Sequence, residues 1–299
     1  MSLFENMKVD IKLDSADVKD VANKLFDKFC DGISWLSNKE TPQSIAVNDY
    51  IQSIQKSNLD PQTKAVLIYS AKRDIKRWVN SIQICNKAID KLLASSRPEE
   101  VDADWADLYR ECSGTISTED AQEIWAIILA QECNEPGSMP KALLNTMLSM
   151  GKQEAEAFTH LASFCLTIDG ERYPLIIQNR INDYYNNYGL GLGSLHRLET
   201  LGLINFDHSE IGAFGLKVHG SEIGYFDEHT TLADIDMEKG ENTSDSVISI
   251  GVVTLSFIGE ALIKIIVPDK VEGFFGDVAL PYLKNPTKYI QDMLKGAES

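Results

Sequence analysis

The residues of this chain best suited to chemistry by type and spacing fall into three groups. The first is Tyr188-Gly189-Leu190-Gly191-Leu192-Gly193-Ser194, which precedes a helical segment. Backbone amides at a helix N-terminus can hold phosphate. Here, however, the spacing is G-x-G-x-G rather than G-x-G-x-x-G. The preceding residues 181–185 read as helix rather than strand, and no βαβ context follows. The run therefore reads as a turn between two helices. The second group is His208, His219 and His229 with Asp207, Glu210, Asp227 and Glu228. Imidazole with carboxylate can hold zinc or another divalent ion, but these spacings are wide and match no known ligand pattern. Solvated hairpin residues are the simpler reading. His160 and His196 are lone histidines on helices, read as packing or surface residues. No Ser or Cys sits in a nucleophile elbow, and neither H-E-x-x-H nor a P-loop occurs. In so acidic a chain, paired carboxylates carry no weight for acid–base work. The sequence thus implies no catalytic residue, no cofactor and no metal site, and leans away from an enzyme.

The third group is basic. Lys64, Lys72, Arg73, Lys76, Arg77, Lys87 and Lys91 share one helical segment around Trp78, offset only by Asp74 and Asp90. Such a helix can contact phosphates, with Trp78 available for stacking. Its other reading is an exposed helix that pairs with acidic protein surface, its own or that of a second copy. The net charge of −17 repels nucleic acid and anionic lipid at long range, which favours a protein partner or self-association over nucleic acid. Further along, the segment 192–200 offers His196 and Arg197, fewer groups than a major-groove reader normally brings. The candidate contacts to partner or nucleic acid are therefore Lys72, Arg73, Lys76, Arg77, Trp78, His196 and Arg197. The amphipathic stretch Val21–Leu36 suggests a partner helix or a membrane-surface contact. Asp20, Asp27 and Asp31 disfavour anionic lipid there, so core packing is the preferred reading.

These residues need a frame. The 299 residues suffice for one large domain or two ordinary ones, and 43% apolar with 24% charged residues is globular. No apolar run approaches the roughly 20 residues of a membrane-spanning helix; Val247–Val267 is broken by Ser249, Ser256, Gly259, Glu260 and Lys264. The opening MSLFENMKVD lacks the basic-then-apolar pattern of a secretory signal. Five scattered cysteines, Cys30, Cys85, Cys112, Cys133 and Cys165, suit free thiols in a reducing compartment and packing as small hydrophobes. The cytoplasm is the expected location.

Met7, Val9, Ile11 and Leu13 alternate as a short strand would. Helices are expected over Val18–Leu36, from Thr41-Pro42, and from Asp60-Pro61 to about Leu92. Glu99–Asp107 reads as an acidic linker leading into a new helix around Trp105 and Tyr109. Ser117 is expected to cap a helix bearing Ala121, Ile124, Trp125, Ile128 and Leu129 on one stripe. Two further helices follow, with Leu143, Leu144, Met147 and Leu148 on one and Ala155, Phe158, Leu161, Ala162 and Cys165 on the other. The C-terminal part turns to strands. A helix ending at Gly202 runs into Leu203-Ile204; strands are expected at 215–218, 224–226 and 248–253; Thr254-Leu255-Ser256 enters a last helix. Helix, Gly-Leu-Ile turn, strand, hairpin, strand and helix is the layout of a winged helix.

Four stretches carry a family resemblance: "RPEEVDADW", "ISTEDAQEIWAIILAQECNEPGSMPKALLNTMLSM", "EAEAFTHLASF" and "GLGLGSLHRLETLGLINFD". Together with the basic helix "KRDIKRWVNSIQICNKAI" they resemble a bacterial family of unknown function with a winged-helix-like end. Residues 125–138 are the most specific part. A looser similarity runs to the abortive-infection alpha proteins, through the Trp-Ala-x-x-Leu-Ala helix, and implies a link to phage defence. The resemblance supplies no catalytic residues. The acidic insertion Asp227–Asp245 departs from the family pattern.

The expected architecture is mainly α with a small β wing. It comprises a helical N-terminal region with the basic helix (1–94), an acidic linker (95–107), a helical bundle (108–180) and a winged-helix-like part with the acidic insertion (181–299). The expected function is a non-enzymatic interaction or regulatory protein linked to phage defence. The alternatives are a winged-helix DNA-binding regulator and a membrane-acting toxin component.

Overall fold

The computed structural model describes residues 17–29, 42–177, 184–207, 213–218, 222–231 and 246–297. The expected strand over Met7–Leu13, His208, Glu210, His219 and most of the acidic insertion lie outside them. Among the described residues the chain is mainly α with a small antiparallel β part, and no helix is long and apolar enough to cross a membrane. It divides at Leu148–Ser149 into two compact units. The division falls inside the stretch 108–180 that reads from sequence as one bundle.

The first unit is helical: α1 (Asp17–Phe29), α2 (Pro42–Lys56), α3 (Pro61–Ile89), α4 (Ala103–Ser113), α5 (Glu119–Asn134) and α6, which starts at Lys141. Asp60 accepts from the backbone N–H of Gln62 and Thr63 at 3.0 Å each, and Pro61 opens α3, so the start of the helix follows local chemistry. Its end at Ile89 is clamped by tertiary bonds. Asn134 Oδ1 accepts from the Leu93 N–H at 3.0 Å, and Asn134 Nδ2 donates to the Lys91 carbonyl. Between the two, the expected linker is structured: Pro98–Glu100 form a single 3-10 turn, and Asp102 caps α4 by accepting from Trp105 N–H.

Helix α5 is the centre of this unit. Ile124, Trp125, Ala126, Ile127, Ile128, Leu129, Ala130 and Cys133 are all buried. Its apolar residues therefore go well beyond one stripe, as in a helix enclosed by its neighbours. The Ser117 cap does not form. Thr118 precedes the helix without a side-chain cap bond, Ser117 Oγ accepts from Asn80 instead, and Glu119 and Asp120 carry negative charge at the helix start. An aromatic cluster supports α5. Trp105 stacks on Tyr109 at 5.0 Å and 12°, Phe29 meets both rings edge-on, and Tyr109 Oη donates to the Trp125 carbonyl at 2.6 Å.

The second unit opens with α7 (Lys152–Ala162) and then forms a hairpin, β1 (Cys165–Ile168) and β2 (Glu171–Pro174). Cys165 thus sits on a strand rather than on the helix expected for it. After α8 (Leu192–Thr200) come β3 (Ile204–Phe206), β4 (Gly215–Val218), β5 (Glu222–Tyr225), β6 (Glu228–Thr231), β7 (Ser246–Ser249) and β8 (Val253–Leu255). One sheet has the order β2-β1-β5-β6, with Thr167 opposite Gly224 and Gly224 opposite His229. Strands β3 and β8 pair antiparallel, as do β4 and β7. Helices α9 (Phe257–Ile263), α10 (Leu280–Lys284) and α11 (Pro286–Ala297) complete the unit.

Two backbone contacts explain the local sequence here. Helix α8 ends in a left-handed Gly202 (φ +72°); its N–H donates to the Glu199 carbonyl at 2.8 Å and the Leu203 N–H to the Leu198 carbonyl at 3.0 Å, the paired bonds of a Schellman end. Ser256 Oγ then caps α9 by accepting from Ile258 and Gly259 N–H, while its hydroxyl donates to the Gly202 carbonyl. A Cβ on Gly259 would lie 2.0 Å from the Leu203 carbonyl oxygen, so only glycine fits this approach.

Candidate docking surface

The five basic-helix candidates, Lys72, Arg73, Lys76, Arg77 and Trp78, all lie on α3, and their surroundings change along its length. Val66, Tyr69, Arg73, Arg77, Asn80, Ile84 and Lys87 follow one another at steps of three or four, which puts them on one face of α3, and Lys91 lies just past the end of the helix. The C-terminal part of this stripe is covered. Asn80 Nδ2 donates to the Gly114 carbonyl at 2.9 Å, and Ile84 is fully buried. Lys87 pairs with Glu119 and Glu123 of α5 at 3.4 and 3.7 Å, and Lys91 pairs with Glu123. The part before Arg77 is not covered. No residue of α3 ahead of Asn80 is buried, a run of about 28 Å at 1.5 Å per residue.

On this overhang Val66 and Tyr69 are 67% and 70% exposed. Arg73 pairs only with its neighbour Asp74, at 3.0 Å, and Lys72 and Lys76 are exposed with no ion pair among the described residues. Lys64 Nζ donates to the Gln55 carbonyl of α2, so the start of the helix is tied to its predecessor. Arg77 marks the boundary. Its guanidinium donates to the Glu111 carbonyl at 3.4 Å, and its Cβ lies 3.1 Å from where a side chain on Gly114 would begin.

Trp78 is half-buried on the other side of α3. It lines an open cleft of about 500 Å³ with Phe29, Ser81, Arg77 and Arg110, rimmed by Asp74, Asp107 and Glu111. Arg110 is bonded to Asp107. Trp78 is therefore a wall of a mixed-charge cleft rather than part of the exposed stripe.

His196 and Arg197 are on α8 in the second unit. His196 packs edge-on against Phe206 at 5.5 Å, with Nδ1 3.9 Å from Glu199; Arg197 pairs with Glu154 at 3.1 Å. The glycine run Tyr188–Ser194 holds the end of a 3-10 turn, a left-handed Gly189 and the Gly191 start of α8. Of the hairpin histidines, His229 is described. Its Nδ1 is 3.1 Å from Glu222 Oε1, beside an open groove of about 360 Å³ that Thr167, Asp169 and Phe226 help to line. Asp227 and Glu228 pair with Lys270 at 2.5 and 3.0 Å. Among the described residues no group of three or more His, Cys, Asp or Glu is placed to hold a metal. Of the stretch Val21–Leu36, residues 30–36 lie outside the described residues; in the described part Val21, Leu25, Phe26 and Phe29 are buried.

A buried polar clamp is the feature that sequence reasoning missed. Glu132 is 1% exposed, and its carboxylate accepts from the Gly137 and Met139 N–H groups at 2.8 Å each. Burial pushes its carboxyl above the usual range, further than the two N–H bonds pull it down. Met139 returns its carbonyl to Trp105 Nε1 at 2.7 Å. The signal was the Glu132-to-Gly137 spacing: a carboxylate in the last turn of a helix, followed by a Pro-Gly turn with N–H groups to satisfy.

The profile of a family described as protein of unknown function (DUF2806) matches residues 70–279. The chain belongs to this family. No curated protein and no solved structure matches it. The DUF2806 match begins on α3 at Ser70 and covers Arg73, Lys76, Arg77, α5 and the Glu132 clamp. In the distinctive stretch 125–138, Trp125 offers its carbonyl to Tyr109, Glu132 holds the Pro136-Gly137 turn and Asn134 holds the end of α3. Those groups are engaged in hydrogen bonding within the helical unit.

Proposed function

We propose that this DUF2806 protein is a non-enzymatic interaction protein that docks a protein partner through the N-terminal half of α3. The observation that carries the reading is the uncovered stripe of Val66, Tyr69 and Arg73, flanked by Lys72 and Lys76, on a helix whose same face is buried or ion-paired further along at Asn80, Ile84 and Lys87. Exposed apolar residues ringed by charge are the composition of a recognition face. Replacing Tyr69 with a photo-crosslinking phenylalanine in cells tests this. A protein adduct is expected at position 69 and not at the exposed control Val267, and Arg73→Glu with Lys76→Glu should abolish it. Equal labelling at both positions would refute the proposal.

A second reading takes the C-terminal unit as winged-helix-like and DNA-binding. It draws support from the order α8, β3, β8, α9, with β3 paired to β8 and Ser256 joining the two helices. The internal partners of His196 and Arg197 weigh against it. Salt-sensitive duplex binding lost in Arg197→Glu would favour it over the docking reading. The link to phage defence that the family resemblance implies is a further proposal. Deleting the gene should raise phage plating efficiency; unchanged plating across a phage panel would end it.

A further inference from the structure

The chain itself shows what kind of element covers the stripe on α3. Where the stripe is satisfied, at Lys87 and Lys91, the covering element is a helix with Glu at i and i+4, Glu119 and Glu123, beside apolar Ile124 and Ile127. Where it is open, the same face repeats the pattern with Arg73 and the adjacent Lys72 and Lys76, beside Val66 and Tyr69. Resting on the docking reading above, we infer that the occupant of the open half is an acidic amphipathic helix of a partner protein. Its carboxylates, spaced i and i+4, would meet Arg73 and Lys76, and its apolar side chains would cover Val66 and Tyr69.

Charge complementarity selects this occupant. A second copy presenting the same face would set Lys72, Arg73 and Lys76 against themselves, and like charges opposed across an interface repel. A nucleic-acid backbone would bring phosphates to a chain of net charge −17, next to a cleft rimmed by Asp74, Asp107 and Glu111. A helix supplies two or three carboxylates together with an apolar stripe, which matches the mixed character of the face.

The probe is a blocked, fluorescein-labelled helical peptide with Glu at i and i+4 and Leu on the same face. A companion carries Lys in place of Glu. Anisotropy with the full-length protein should show the Glu peptide binding and the Lys peptide not. Arg73→Glu with Lys76→Glu should weaken the Glu peptide at least about tenfold and create binding of the Lys peptide. Both side chains are exposed, so the variant should keep its circular dichroism and tryptophan emission. Equal binding of both peptides, or a Glu-peptide dissociation constant weaker than about 1 mM, would overturn the inference. So would a dimer of the wild type that the double variant dissolves, or tighter binding of a 20-base-pair duplex at this face. If the peptide fails while the position-69 adduct still forms, docking stands and the acidic helix is wrong; if both fail, docking falls too.

Discussion

Removing the Glu132 carboxylate should unfold the helical unit at markedly lower denaturant. The side chain is 1% exposed and is the hydrogen-bond acceptor for both the Gly137 and the Met139 N–H. In Glu132→Ala two buried donors lose their partner, each costing about 1–3 kcal/mol. The sum, with some relief from water entering the vacated space, is about 3–5 kcal/mol. At a urea slope of about 2 kcal/mol/M this lowers the midpoint by roughly 1.5–2.5 M. Glu132→Gln keeps one acceptor oxygen and sets its amide N–H₂ against the other donor, so a loss of about 1–3 kcal/mol is expected. Among the described residues the tryptophans Trp78, Trp105 and Trp125 all lie on helices of this unit, so tryptophan emission is the probe of its unfolding. The pH dependence has a definite sign. The folded carboxyl titrates above its ordinary 4.5 because burial disfavours the charged form. The folded state therefore holds the proton longer than the unfolded state does. The stabilisation tied to that proton is complete below about pH 4.5 and is lost as the pH rises through the raised folded value. The advantage of wild type over Glu132→Gln should accordingly narrow from pH 4 to pH 7. A midpoint shift below about 0.3 M in Glu132→Ala, or an advantage that widens with pH, would refute the reasoning.

Gly259→Ala should destabilise the C-terminal unit by about 3 kcal/mol or more, because the new methyl meets the Leu203 carbonyl at 2.0 Å; loss of tyrosine near-UV ellipticity at a lower temperature, with the tryptophan transition unchanged, is the readout. Ser256→Ala should cost the same unit about 1–2 kcal/mol through loss of the α9 cap, and a difference under about 0.3 kcal/mol would show that the cap is not limiting. Cys133 and Cys165 are buried, and burial pushes both thiols up, that of Cys165 to about 12; a thiol reagent at pH 8 should modify them only after urea unfolding, and modification of either in the native state would contradict the structure.

Local chemistry was sufficient for a good part of this fold. Asp60-Pro61 set the start of α3, Ser256 the start of α9 and Gly202 the end of α8, because caps and left-handed turns are decided within a few residues. The hairpin β1–β2 was equally local, in Leu166–Tyr173 with Asp169-Gly170 at its turn, the strongest short hairpin signal. Reading the apolar period as helix through Cys165 hid it. Ser117 is the opposite case: a good capping residue on paper, it accepts from Asn80, thirty-seven residues away.

The candidate site divides the same way. Its residue types were plain in the sequence: a basic helix on an acidic chain, a tryptophan among the cations, and a periodic apolar face. Composition cannot say which cations are already paired, because that depends on where α5 begins against α3. Packing Glu119 and Glu123 beside Lys87 and Lys91 settles the C-terminal half of the stripe internally, and α5, which starts at Glu119 beside Lys87 and runs toward Leu93, does not extend to Val66, Tyr69, Lys72, Arg73 and Lys76. Trp78, adjacent in sequence to Arg77, turns to a different side of the helix because neighbours are about 100° apart around it. The sequence by itself determined most of the helices, several of their caps and the sign of the charge. Tertiary packing decided which of those charges remain for a partner, since pairing depends on the separation of groups in space and not along the chain.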